Sequence, residues 1–370
     1  MSKASTSNSP HGDDETEKGD PLEGLPKLPP DFFADVERRV EEKRLRRAKR
    51  QDELFNKEIA PDDRVVAWID ILGFRKELLN AESGTEEDFQ RVYRKLLRVR
   101  QVFDDPAASA EPEELEQGQR AYGREVFSLS DGLIVTTSLS RATAKGHVTD
   151  YDLVMSILSD LILAQADCAL EGVFVRGGIS VGKFYFEDNV LLSPALVRAY
   201  ELETRKAVHP VIIIEQQYIE ALRELKGYKN YAGDAEPSQF ELRPFTSPKG
   251  ERGDDFLHLD YLNFITDVDI YGPNQMESEE YTSGKYTEKE RERLFSLYMH
   301  RKALKNMIRH KEQVIRAYKS AKANCVRAKY RWLMEYHNRA VESGLTFYPE
   351  RAMIDLSRFE LPDEDPPKSA

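Results

Sequence analysis

Two short apolar runs in this chain each carry an aspartate. Asp70 sits in Val65-Val66-Ala67-Trp68-Ile69-Asp70-Ile71-Leu72-Gly73-Phe74, and Asp131 in Val126-Phe127-Ser128-Leu129-Ser130-Asp131-Gly132-Leu133-Ile134-Val135. An ionised carboxylate among Val, Ile, Leu and Phe is costly unless its charge is compensated. Two of them on neighbouring strands would form a hard oxygen site suited to Mg²⁺ or Mn²⁺. That is the usual basis of metal-assisted phosphoryl chemistry. Taken singly, each aspartate reads equally well as a buried residue capping a turn. There is no Gly-Lys-Ser/Thr phosphate loop, which favours metal carboxylates as the phosphate grip. No Ser-His-Asp arrangement can be read. His258 lies in an apolar run and reads as a satisfied core histidine, while His300, His310 and His337 lack metal-ligand spacing.

The elements that would position the aspartates follow from the pattern along the chain. Residues 1–30 are rich in Ser, Asp, Gly and Pro and read as a disordered tail. Residues 31–57 form a charged helix, with opposite charges three or four apart. The spacing then predicts a strand over 63–72, a helix over 86–103, and two strands over 125–136. These two strands meet at Ser130-Asp131-Gly132, where Gly132 permits a positive φ. An apolar helix over 150–170 follows, then a strand, a Gly-containing segment and another strand over 172–186. A helix over 194–205, with Pro194 in its first turn, leads to a short buried strand over 211–214. This order is not doubly wound. It predicts an α+β domain over 60–267, with an antiparallel or mixed sheet, helices packed on it and a ferredoxin-like layer. The core would be 63–215. Residues 224–255 read as an insertion, 268–286 as an irregular linker, 287–345 as a helical extension and 346–370 as a tail.

Val175-Arg176-Gly177-Gly178-Ile179-Ser180-Val181-Gly182 stands beside the aspartate runs, followed by Leu191 to Glu203. In this order and spacing, the four segments resemble the class III nucleotide cyclase fold. They are most similar to the bacterial pyrimidine cyclases of anti-phage Pycsar systems. The resemblance covers about 63–215, and no single motif in it is specific. It implies that Asp70 and Asp131, with the Ile71 position, hold two divalent ions (Mg²⁺ or Mn²⁺) per site. One ion would lower the pKa of the ribose 3′-hydroxyl, and the other would neutralise the leaving pyrophosphate. Leu72, Gly73, Phe74 and Arg75 would contact phosphate, with Arg176 and Arg198 as catalytic cations. The family works as a head-to-tail homodimer with sites at the interface. The implied substrate is UTP ahead of CTP, and the implied product is a 3′,5′-cyclic monophosphate read by a separate effector.

The chain also departs from the better-known purine cyclases. Their Asn and Arg on the last site helix fall at Val197 and Glu201 here, and neither side chain can do that work. Arg176, Arg198, Arg205 and Arg75 are the cations that could replace them. The base-reading pair falls at Phe127 and near Val190, so purine-reading polar groups are missing. Phe74 and Phe127 would narrow the base pocket towards a pyrimidine.

Composition bounds the alternatives. The 370 residues are 40% hydrophobic with a net charge of −12, which argues against a surface built wholly for polyanions. No apolar run is long enough to span a membrane, and the polar N-terminus lacks a secretory signal. Cys168 and Cys325 lie far apart without zinc spacing, so a reducing cytoplasm is expected. Two other readings remain at this point. One is a non-catalytic nucleotide sensor with a degenerate cyclase domain. The other is nucleic-acid binding through residues 288–343, which carry 15 Lys or Arg against 6 Asp or Glu. The apolar residues of that segment argue instead for a packed face.

Overall fold

A computed structural model describes residues 30–104, 123–139, 150–215, 218, 242–244, 256–266 and 286–359. The expected tail over 1–29, most of the 224–255 insertion, nearly all of the 268–286 linker and the end of the chain from 360 lie outside the described residues. The chain divides into two compact units, Met1–Ile59 and Ala60–Ala370. The first contains α1 (Pro30–Phe55), where Asp35 pairs with Arg39 one turn on at 2.9 Å and also with Arg38.

The second unit is a mixed α+β structure. Its elements are β1 (Asp62–Ile71), α2 (Phe74–Glu82), α3 (Glu86–Asp104), β2 (Glu125–Leu129), β3 (Gly132–Ser138), α4 (Asp150–Leu170), β4 (Val175–Glu187), β5 (Val190–Leu192), α5 (Pro194–Arg205), β6 (Ile212–Glu215), β7 (Leu242–Pro244), β8 (Phe256–Leu259), α6 (Tyr261–Thr266), α7 (Glu288–Ser320), α8 (Asn324–Gly344) and α9 (Pro349–Ala352). The strands lie in the order β2-β3-β1-β4-β6-β8-β7, with β5 paired to β4. Neighbours are antiparallel except β4 and β6, which run parallel. No helix of the described residues is long and apolar enough to cross a membrane.

Strand β1 is buried on both faces, which is why it reads as an unbroken apolar run. Its alternation still sorts the side chains. Val65, Ala67, Ile69 and Ile71 belong to the main core with Phe103, Leu133, Leu158 and Leu161. Val66 and Trp68 belong to a smaller core with Ile134, Phe184 and Ala195 under α5. Helix α5 starts where Ser193 Oγ accepts the Leu196 N–H at 3.0 Å, with Pro194 in the first turn. It comes down onto β4 at Gly178, where a Cβ would lie 2.2 Å from the Ala199 carbonyl oxygen.

Two expectations are corrected and a third is refined. Residues 175–187 form one 13-residue strand, and the turn comes later, at Asp188 and Asn189, both with positive φ. At the β2–β3 corner the left-handed residue is Ser130 (φ 54°), not Gly132. Gly132 is needed for space, because a Cβ there would lie 2.4 Å from the Trp68 ring. The C-terminal extension is two helices that pack on each other. The chain breaks at Ala321–Ala323 without Pro or Gly, and Arg327 Nε donates to the Ala321 carbonyl at 2.8 Å.

Helices α7 and α8 complete the main core, where Met307, Leu333 and Met334 are fully buried. Between them runs a hydrogen-bonded chain. His337 Nε2 meets the Ala352 carbonyl at 2.9 Å, the two Nδ1 atoms of His337 and His310 are 2.9 Å apart, and His310 Nε2 meets the Tyr261 hydroxyl at 3.0 Å. Because a carbonyl only accepts, His337 carries its proton on Nε2. His310 Nδ1–H then donates to His337, and Tyr261 donates to His310. This arrangement is the one for two neutral imidazoles, the form that burial favours for both. The stretch expected to be a tail is partly ordered. Asn338 makes two 2.9 Å hydrogen bonds to the Ile354 backbone, and Lys311 Nζ donates to the Met353 carbonyl at 2.6 Å.

Candidate functional site

Asp70 is the penultimate residue of β1, on the face covered by α5. Its Cα partners are Gly132 on β3 and Arg176 on β4. Asp131 is the residue before Gly132, and its carbonyl accepts the Ile71 N–H at 3.4 Å. The hairpin corner and the end of β1 are thus joined, and the two carboxylates act on each other electrostatically.

Arg176 bridges the centre of this cluster. Its Nε donates to Asp70 Oδ2 at 2.9 Å, its Nη2 lies 2.7 Å from Glu203 Oε1, and its Nη1 donates to the Ala207 carbonyl at 3.3 Å. Burial raises the Asp70 pKa, the Arg176 guanidinium opposes that rise, and the Asp131 charge adds to it. Burial also pushes Glu203 up to about 7, against the pull of Arg176. Lys329, on α8, acts on Asp70 and Glu203, and burial followed by the Arg176 charge lowers its own pKa.

Asp70 and Asp131 present carboxylate oxygens, the hard donor type that suits a divalent cation. Among the described residues there is no group of three or more His, Cys, Asp or Glu placed to hold a metal. Asp70 and Asp131 would therefore supply only part of a coordination shell. Backbone or substrate oxygens would have to supply the rest.

Other expected site residues lie elsewhere or are already engaged. Phe74 is 1% exposed in the main core, so it cannot line a base pocket. Phe127 packs on Phe184 and Phe186, with ring centroids 6.3 and 4.8 Å away. Phe184 registers with Asp62, at the opposite end of β1 from Asp70. Arg198 Nε donates to Ser180 Oγ at 3.1 Å and its Nη2 to the Val181 carbonyl at 3.0 Å. Those positions lie four and five residues beyond Arg176, roughly 13–17 Å along the strand. Within one chain, Arg198 anchors α5 to β4 and does not meet Asp70. The Ile71 N–H is used by Asp131, and the Leu72 N–H by the Phe174 carbonyl at 2.9 Å. That leaves Gly73 (φ 82°), which caps α2 without a side-chain hydrogen bond, and the first N–H groups of that helix. Arg75 is exposed on its first turn.

Sequence reasoning passed over Glu203 and Lys329 as site residues. Glu203 had a legible signal, standing four residues after Ala199 in the buried stripe Ala195, Ala199, Leu202. A charge in such a stripe needs a partner. Lys329 had none, being one of many bases on a basic helix. No protein-family model matches the sequence and no curated relative matches it.

Proposed function

We propose that the chain is a nucleotide cyclase acting on a pyrimidine nucleoside triphosphate, UTP ahead of CTP. The ribose 3′-oxygen attacks the α-phosphorus, and the bond from that phosphorus to the β-phosphate oxygen breaks. Pyrophosphate leaves, the 3′-hydroxyl proton passes to water, and a 3′,5′-cyclic monophosphate remains.

The observation that carries this reading is that Asp70 registers with Gly132, the residue after Asp131, while Arg176 on the other neighbouring strand hydrogen-bonds to Asp70. The strand order β2-β3-β1-β4, with helices between β1 and β2 and between β3 and β4, supports a ferredoxin-like cyclase layer. Asp70 and Asp131 would hold Mg²⁺ or Mn²⁺, which when bound supplies charge for the triphosphate and acidity for the 3′-hydroxyl. Arg176 keeps Asp70 oriented and offsets its charge, and Glu203 and the Ala207 carbonyl hold Arg176 in turn. Gly73 and the first N–H groups of α2, which no side chain caps, would serve as phosphate donors. The pyrimidine preference rests on the sequence alone, in which the positions matching the purine-reading pair, Phe127 and Val190, carry no polar group; Phe74, buried in the core, lends it no support. A head-to-tail homodimer, a bacterial cytoplasmic setting, a role in anti-phage defence and a separate effector belong to the same proposal.

One observation favours a second reading, a nucleotide sensor without turnover. Arg176 already occupies an Asp70 oxygen, and the helix positions Val197 and Glu201 offer no cation. Incubation with Mn²⁺ and each of the four nucleoside triphosphates separates the two. Cyclic UMP or CMP is the expected product. Tight binding without cyclic product or pyrophosphate would establish the sensor and overturn the enzyme.

A further inference from the structure

Helix α8 reaches the same corner of the sheet. The Tyr330 ring packs against Phe174, 5.5 Å between centroids, and Phe174 is the residue whose carbonyl takes the Leu72 N–H. The Trp332 ring lies flat on His209, 4.3 Å away and 9° from parallel. His209 belongs to the 206–211 loop, in which the Ala207 carbonyl holds Arg176. These contacts fix residues 329–332 beside the point where β1 ends and β4 begins.

Lys329 stands among them, half-buried. Its ammonium acts on Asp70, Glu203, Arg176 and His209. Among the described residues it makes no hydrogen bond or ion pair, whereas Asp70 and Glu203 are both already met by Arg176. Of these two cations, Arg176 is committed to carboxylates and Lys329 is not. A compact ammonium without its own carboxylate, within electrostatic reach of Asp70, matches a polyphosphate oxygen.

We propose that Lys329 contacts the polyphosphate of the bound nucleotide, which makes the C-terminal helical pair part of the nucleotide site. This inference rests on the cyclase reading and names a residue that reading leaves out. It also gives a place for the cation missing at Val197 and Glu201.

The test uses the full chain, with UTP and inorganic tripolyphosphate as probes, each titrated calorimetrically with Mn²⁺ present. Lys329→Met should weaken both probes about tenfold or more, as expected for loss of one charge-assisted hydrogen bond, at unchanged thermal midpoint. Lys329→Arg should restore most of the affinity. Should Lys329→Met fail to fold, Lys329→Gln serves in its place. Equal affinity of the neutral variant and the wild type for both probes would overturn the inference. If the wild type binds UTP but no cyclic product forms from any triphosphate, the cyclase reading fails. Lys329 then still stands as a phosphate contact wherever its neutral variant binds less tightly. A wild type that binds neither probe overturns both.

Discussion

Acid should act on this protein through the buried imidazole pair of α7 and α8. Burial lowers the His337 pKa from 6.5 to about 4, the Ala352 carbonyl opposes that shift, and the Lys311 charge adds to it. His310 is lowered as well, by burial and then by His337. A histidine depressed in the folded state costs nothing while both states are neutral. As the pH falls below the unfolded value of 6.5, the unfolded chain takes up a proton that the folded chain refuses. Stability is therefore lost between about 6.5 and about 4, and the loss levels off below that. From about pH 7.5 to about pH 5, His337 alone costs about 2 kcal/mol. Glu203 works the other way. Its raised pKa means that the folded chain gains a proton first, so its burial penalty is relieved as the pH falls from about 7 towards 4.5. The wild-type curve alone would mix these opposing effects, so the comparison must be with His337→Gln. The glutamine amide can donate to the Ala352 carbonyl and accept from His310 without titrating. Urea unfolding of both proteins at each pH should show the wild type losing about 2 kcal/mol more than the variant. Matching pH dependence, within about 0.5 kcal/mol, would refute the neutral, hydrogen-bonded pair.

Asp70→Ala and Asp131→Ala should each abolish cyclic product while the melting transition stays cooperative, because Glu203 and the Ala207 carbonyl still hold Arg176. Full activity in either variant would refute the metal assignment. Gly178→Ala puts a methyl group 2.2 Å from the Ala199 carbonyl oxygen. Lifting α5 off β4 should cost roughly 1–3 kcal/mol, read as a lower urea midpoint; an unchanged midpoint would mean α5 sits higher than described. The exposed Cys325 should react at once with a thiol reagent, whereas Cys168 is buried with its pKa pushed up to about 12 and should react only on unfolding. Two fast thiols in the native protein would contradict that burial.

Much of the architecture was legible because apolar period and helix signals agreed. Pro194 to Arg205 reads as a helix from its Ser-Pro start, and 150–170 from its apolar length. What escaped depends on contacts distant in sequence. The long strand β4 contains three glycines that look like a break, yet they serve close approach, as at Gly178 under α5. The turn at 321–323 has no breaker, and an arginine six residues on closes it. In the site, the two aspartates were visible as charges in apolar runs. The ring of Phe74 was misread because a large apolar residue beside a site has the same composition whether it faces the ligand or the core. Arg198 serves within one chain as an anchor, a role that a helix cation shows in sequence no differently from a catalytic one. Lys329 reaches the corner through contacts remote in sequence, Tyr330 on Phe174 and Trp332 on His209.

The sharing of one core by β1 and the last two long helices has a consequence for biosynthesis. As the chain leaves the ribosome, Ile69 and Ile71 emerge early, but Met307, Leu333 and Met334, which help enclose that core, emerge near the end. The nascent sheet must keep an apolar face unsatisfied through most of translation, so closure is set by contacts of large sequence separation and should be slow. A nascent chain stalled after β6 would be a good client for a chaperone, and the same segment produced alone should aggregate instead of folding.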